Sequence, residues 1–400
     1  MLSGAMTHKV EFSILMRKNV SPVDALNPAG KAHWRTSDHG VLDVEVYRSP
    51  SAWPASVEDL FNFAEQERIG MGSAWYQNLA SNGLPADSCV RFYVLSRNHV
   101  PVAALPVLIH NVPRRAVSAL ASFYTTLFAP ALAGTEGTPA LTRLIQAVIA
   151  GNGPLQRLEF APMDPLGRAM GCLRAALRAN GMVTFDYFCH GNWFLPVNCD
   201  WSSYLQQREG GVRSTVRRME RKLMAERARV EIISDPFDVE RCIAAFDHAY
   251  GRSWKRPEPY PGFMPGLIRL CAARGWLRLG LVSLAGQAIA VQLWIVANGR
   301  AEVYKLAYDE SFKAFAPGTV LTARLLQHVL EVDKVSEVDY LIGDDSYKAQ
   351  WMTQRRERWG LLAFNPRTAA GLLGCLRESA GRVLKAARTW LLGLRAKMLA

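Results

Sequence analysis

The chain has 400 residues, half of them hydrophobic, and a net charge of +12, which supports two sizeable cores rather than one. Its seven cysteines stand singly and its eight histidines are scattered without ligand spacing, so neither a disulfide framework nor a metal centre is expected. The first twenty residues lack the apolar stretch of a signal peptide, and no Gly-x-Ser-x-Gly elbow marks a hydrolase.

Taken in order, residues 1–40 read as a polar, irregular arm. Residues 41–47 alternate as a strand, and 57–68 form a helix pattern behind Ser56. The stretch 71–84, with Trp75 and Tyr76, is expected to line a cleft. Residues 90–96 and 102–109 make a hairpin. The uncharged run 116–135 is long enough to span a membrane, but its hydroxyl residues and Pro130 make it a buried strand plus loop. Helices at 141–149 and 169–179 and strands at 158–160 and 185–195 complete a first half.

A second half starts with a helix capped by Asp200 or Ser202. A basic helix at 213–227 follows, then a strand at 230–233, a helix at 239–250 and an aromatic–basic loop at 253–257. Next come a helix at 263–274, a hairpin of 277–284 with 288–296, and a strand at 301–308. A helix at 319–332 and a strand at 338–342 lead to Gly343-Asp344-Asp345. Residues 369–400 read as one long helix.

The two halves repeat each other. Residues 90–130 and 277–317 align at a spacing of 187. Both open with an apolar residue and Arg (Arg91, Arg278). Both turn at the same place (Asn98-His99, Ala285-Gly286) and end Phe-Ala-Pro. The helical segments RLIQAVI (143–149) and RLLQHVL (324–330) match as well. A period this long implies two related domains, expected at 41–195 and 196–366, with a tail at 367–400. The halves differ after Phe-Ala-Pro. The second continues Gly318-Thr319 directly into a helix, and the first continues Ala131-Leu132 into an insertion. A glycine at a helix start lets backbone N–H groups approach an anion that the helix dipole favours. The second half is therefore expected to bind a phosphate-bearing cofactor, and the first to be degenerate.

The charge is local. Residues 208–229 hold eight basic and three acidic side chains, and 366–400 hold seven and one, which leaves the rest of the chain near neutral. Poor i,i+4 pairing in the basic helix points to an anionic partner. Without interleaved aromatics, nucleic acid is the less expected one.

The ordered set Ser253-Trp254-Lys255, Gly275–Leu279, Ala290-Val291-Gln292, Tyr304–Asp309, Ala316–Thr319 and Gly343-Asp344-x-x-Tyr347-Lys348-x-x-Trp351 resembles the GNAT acetyltransferase superfamily. It is most similar to the double-GNAT branch with FemAB-type transferases and the cellulose-biosynthesis (CelD/BcsL-like) acetyltransferases. The resemblance implies an α/β (α+β) fold: two tandem GNAT-like domains, each a mixed, mostly antiparallel sheet flanked by helices, plus a C-terminal amphipathic helix. It implies acyl transfer from acetyl-CoA or another acyl-CoA to an amine, on a small molecule or glycan, in exopolysaccharide or cell-envelope synthesis. The cofactor residues would be Lys313, Phe315, Ala316, Pro317, Gly318, Thr319 and Arg324. Catalytic roles would fall to Asp344 and Tyr347, and to the strand from Tyr304 as oxyanion donor. Trp254, Lys255, Gln292, Lys305 and Lys348 would bind substrate. The segment from Lys313 to Gly318 has one glycine where that superfamily's pyrophosphate loop usually has two. A FemAB-like transferase using charged tRNA, and a non-catalytic scaffold for polysaccharide synthesis, are the alternatives.

In the tail, Leu373, Leu376, Val383, Leu384, Trp390 and Leu394 recur at helical spacing among basic residues. Such a helix suits an anionic membrane surface or docks on protein. A cytoplasmic protein is expected, peripheral on the inner face of the membrane.

Overall fold

In the computed structural model, which describes residues 32–34, 41–110 and 116–398, the first half runs in this order: β1 (Ala32–Trp34), β2 (Leu42–Tyr47), α1 (Ala55–Glu67), α2 (Ser73–Asn82), β3 (Cys89–Arg97), β4 (Val100–His110), β5 (Ala116–Ala119), β6 (Ala131–Leu132), α3 (Thr138–Gly151), β7 (Arg157–Met163), α4 (Arg168–Ala179), β8 (Val183–Pro196). The second half follows: α5 (Trp201–Gln206), α6 (Gly210–Ala225), β9 (Arg229–Ile233), α7 (Val239–Gly251), α8 (Phe263–Ala273), β10 (Leu277–Leu284), β11 (Gln287–Ala297), β12 (Arg300–Tyr308), α9 (Pro317–Glu331), β13 (Glu337–Asp339), α10 (Ser346–Trp351), β14 (Gln354–Phe364). A last helix, α11 (Ala369–Met398), closes the chain. Apart from β1, the expected N-terminal arm lies outside the described residues.

The repeated hairpins are β3–β4 and β10–β11. Each turns through two residues of left-handed backbone, Asn98 (φ 50°) with His99 (φ 66°) and Ala285 (φ 49°) with Gly286 (φ 80°), the geometry whose twist matches paired strands. After Phe-Ala-Pro the halves part as the sequence suggests. Pro317 is the first residue of α9, whereas Ala131 enters the short strand β6 and α3 waits until Thr138.

All strands join one mixed sheet in the order β1-β2-β3-β4-β5-β7-β14-β8-β13-β12-β11-β10-β9, with β6 on β4. The halves meet by exchanging their last strands. β8 pairs with β13 of the second half, and β14 lies between β7 and β8. Leu195 of β8 is thereby buried in the second half's core, and Leu361 and Ala363 of β14 in the first half's. A third core lies on the opposite face and is shared: Phe61, Tyr76 and Phe92 of the first half pack in one cluster with Phe263, Leu279 and Leu293 of the second. Burial of each such large apolar side chain contributes about 1.5–3 kcal/mol.

β14 was not legible in the sequence, because its first half, Gln354–Arg358, is polar. The structure accounts for those charges. Arg356 binds Glu337 at 2.9 Å and also Asp339. Arg68 reaches Glu302 and Asp339, each at 3.2 Å, and Arg300 reaches Glu337 at 2.9 Å. Burial would raise the Asp339 carboxyl, but Arg356 and Arg68 outweigh it and hold it below its ordinary value.

Candidate functional site

β12 and β13 run parallel for three pairs, from Arg300–Glu337 to Glu302–Asp339, and then diverge. Beyond Glu302, that edge of β12 has no strand partner among the described residues. On the other edge the register with β11 jumps from Leu293–Lys305 to Trp294–Val303, so Tyr304 is the extra residue of a β-bulge. Backbone groups on the open edge are free to meet a ligand in the splay.

The turn between β12 and α9 faces this opening. The Asp309 carboxylate accepts from Ser311 N at 2.9 Å and starts the turn. Ala316 ends it in left-handed backbone, φ 44° and ψ 47°. Thr319 N and Val320 N bond back to Ala316 O, and Pro317 has no N–H. Gly318 is not in left-handed backbone, and a Cβ there would make an ordinary contact 3.4 Å from the Tyr308 ring. The Trp254 ring lies 4.7 Å from that of Tyr308. Lys222 of the basic helix α6 donates to Ala314 O at 3.3 Å and sits 4.4 Å over the Phe315 ring. Lys313 is exposed on the same turn.

Beneath the first turn of α9 lies a polar network. Gln292 Nε2 donates to Gly318 O at 2.9 Å and to Thr322 Oγ1 at 2.8 Å, and Trp294 Nε1 donates to Gln292 Oε1 at 2.8 Å. Tyr347 Oη shares a 2.9 Å hydrogen bond with Thr322, and burial keeps its phenol protonated by raising its pKa. Gln292, expected at the substrate, is instead fully buried and fixes the start of α9.

On the other side of the splay, Lys305 forms an ion pair with Glu258 at 2.8 Å inside an aromatic box, with its ammonium 4.6 Å from Phe123, 5.5 Å from Tyr124 and 5.9 Å from Tyr250. Glu258 Oε2 is buried and makes no hydrogen bond among the described residues. Burial first, then the charge of Lys305, brings the Lys255 ammonium down to about 8. Tyr304 Oη donates to Tyr124 O at 2.9 Å, and Tyr124 Oη donates to Tyr260 O at 3.2 Å. The first half's loop after β5 therefore forms one wall of the site. At the foot of the splay is a cavity of about 20 Å³, room for one water, lined by Arg68, His190, Glu302, Tyr304 and Arg358. His190 Nε2 is buried there without a hydrogen bond among the described residues.

Other expected site residues have structural partners. Asp344 accepts from Arg355 at 2.7 and 2.9 Å and from Trp193 Nε1 at 2.8 Å. The Arg355 hydrogen bonds hold its carboxyl below the ordinary range, which makes it a poor proton acceptor. Arg324 lies two turns along α9 and pairs with Glu220, away from the helix start. Lys348 donates to Tyr340 O at 3.2 Å and to Ile342 O, so it braces the loop after β13. Lys305 is neutralised by Glu258 rather than free for an anion. Glu258 and His190 were missed: one sits in a Pro-rich loop and the other in a first-half strand, and nothing local ties either to the site.

Residues 210–349 match the family model described as an acetyltransferase (GNAT) domain. No curated protein sequence matches the chain. Among solved structures, the C-terminal domain (DUF2156) of a putative lysylphosphatidylglycerol synthetase from Agrobacterium fabrum is similar at 12% identity, over 80% of this chain and 95% of that one, with a TM-score of 0.50. FemX is similar at 12% identity, over 74% and 92%, with a TM-score of 0.51. A tandem GNAT protein from the clavulanic acid biosynthesis pathway aligns at 11% identity over 80% and 98%, with a TM-score of 0.45. The first two likenesses establish a shared fold. The family match runs from α6 into α10 and so takes in the bulge, the turn and the start of α9. Residues 210–349 are thus similar to a GNAT acetyltransferase domain, and the first two structures add the fold.

Proposed function

We propose that the protein transfers an acyl group from an acyl-CoA to an amine acceptor at the splay between β12 and β13. The observation that carries this reading is the convergence at one opening of the Tyr304 bulge, the start of α9 and the buried carboxylate of Glu258. The turn fits a pyrophosphate: among the described residues Gly318 N is the amide left free at the helix start, and the cations Lys222 and Lys313 supply charge. An acyl-CoA supplies the activated thioester carbonyl. The open edge of β12 donates backbone N–H groups to the oxygen of that carbonyl as negative charge develops. Glu258 Oε2 takes the proton from the acceptor amine as the N–C bond forms, and Tyr347 gives one to the departing sulfur as the C–S bond breaks. Phe123, Tyr124 and Tyr250 shield the reacting groups from water. The sequence resemblance to cellulose-biosynthesis enzymes supports an amino-sugar or other glycan acceptor in envelope or exopolysaccharide synthesis.

Calorimetry with acetyl-CoA tests the reading. Gly318→Asp sets a carboxylate against the phosphate and is expected to abolish binding with the fold intact. Binding by the Gly318→Asp variant equal to the parent's would move the phosphate site elsewhere. One observation favours a second reading, transfer from a charged tRNA: Ala316 holds the left-handed position at the turn, and the helix start lacks the second glycine of the usual pyrophosphate loop. Binding of aminoacyl-tRNA in place of acetyl-CoA would select it.

A further inference from the structure

The helix α11 docks with one side and presents the opposite side to solvent. The docked side is made of small or polar residues. A Cβ at Gly374 would lie 2.4 Å from the Phe364 ring, and one at Gly371 would lie 2.0 Å from Asn365 O, so only glycine fits at either place. Cys375 is buried on this side. Arg382 donates to Asp186 O with its guanidinium 5.1 Å over the Phe185 ring. At 100° per residue, Leu373, Leu376, Val383, Leu384 and Trp390 fall within a separate arc of about 120°. Each of the five is 60% to 70% exposed. The chain's own core therefore does not use the apolar arc. Arg377 and Arg388, both exposed, lie along one border of it.

We propose that α11 is an interfacial anchor that seats this arc in an anionic lipid surface. No helix among the described residues is long and apolar enough to cross a membrane, so the geometry is that of a helix lying in the plane of the headgroups. Charge selects the occupant. Residues 366–400 carry seven basic and one acidic side chain, which suits anionic headgroups, whereas pairing with the same helix of a second copy would bring like charges together. Trp390 on the exposed arc matches the preference of indole for the interface.

Co-sedimentation of the full chain with lipid vesicles tests this without reference to catalysis. The protein is expected to sediment with vesicles containing phosphatidylglycerol, less at high salt, and not with pure phosphatidylcholine. Arg377→Gln with Arg388→Gln is expected to weaken partitioning by about thirtyfold, at about 1 kcal/mol per cation. Leu376→Glu with Leu384→Glu is expected to abolish it, with an unchanged unfolding midpoint because both sites are exposed. Vesicle binding that ignores either double change overturns the proposal. So does a full chain that never sediments with anionic vesicles, or one that instead forms a dimer lost in the Leu376→Glu, Leu384→Glu variant.

Discussion

Arg355 holds Asp344 by a forked contact, with Nη2 at 2.7 Å from Oδ2 and Nε at 2.9 Å from Oδ1. The pair sits on the rim of the sheet, with both side chains partly in solvent. Asp344→Asn is therefore expected to leave kcat within about twofold and to cost less than about 1 kcal/mol of stability. Glu258→Gln is expected to lower kcat by two decades or more, on the order of a lost general base. Steady-state kinetics at saturating acetyl-CoA compare the two. A larger loss in the Asp344 variant would return the base to that residue.

Ala316 carries a conformation that alanine adopts at a cost. Ala316→Gly is expected to raise stability by roughly 0.5–1 kcal/mol, since relief of the left-handed strain exceeds the entropy glycine gains in the unfolded chain. Ala316→Val is expected to lower it. Urea unfolding midpoints read both, and a destabilised glycine variant would contradict the account.

His190 gives a pH signature. Burial first, then the positive charges of Arg358 and Lys348, push its imidazole down to about 4. The folded protein keeps it neutral while the unfolded chain binds a proton below about pH 6.5. Its effect on stability is nil above that pH and grows as pH falls toward 4, where it reaches a loss of about 3 kcal/mol. His190→Gln is expected to flatten the fall in stability between pH 6.5 and 4 relative to the parent, as measured by urea unfolding across that window.

Arg356 neutralises the buried Asp339 and the half-buried Glu337, and donates to Asn192 Oδ1 at 2.6 Å. Arg356→Met leaves Glu337 and Asp339 underpaired and is expected to cost about 3–5 kcal/mol. Adding Asp339→Asn removes one stranded charge and is expected to restore part of that loss. Differential scanning calorimetry of the single and double variants checks the sign of the coupling.

The repeat, the two hairpins and the start of α9 were legible because local rules fix them: alternation in the strands, paired turn residues, and proline at the first helical position. The strand from Tyr304 was expected from resemblance to offer backbone donors, and its edge loses its β13 partner after Glu302. Non-local features were not legible. Gln354–Arg358 reads as a surface charge run until Glu337, Asp339 and Asn192 are set opposite it. Glu258 looks like any loop carboxylate until Lys305 and three aromatic rings close around it. Gln292 and Lys348 have the polarity of ligand-binding residues, but their hydrogen bonds go to the protein's own backbone.

The exchange of β8 and β14 bears on the order in which the protein is made. β8 leaves the ribosome long before the strands that will flank it, and until residue 364 has emerged, β7 and β8 expose unpaired edges. The first half therefore cannot finish its sheet as it is synthesised, and closure depends on contacts between residues far apart in sequence, which form slowly. A nascent chain stalled before Gln354 is expected to be the species most in need of a chaperone, whereas one released a few residues past Phe364 can close both halves in a single step.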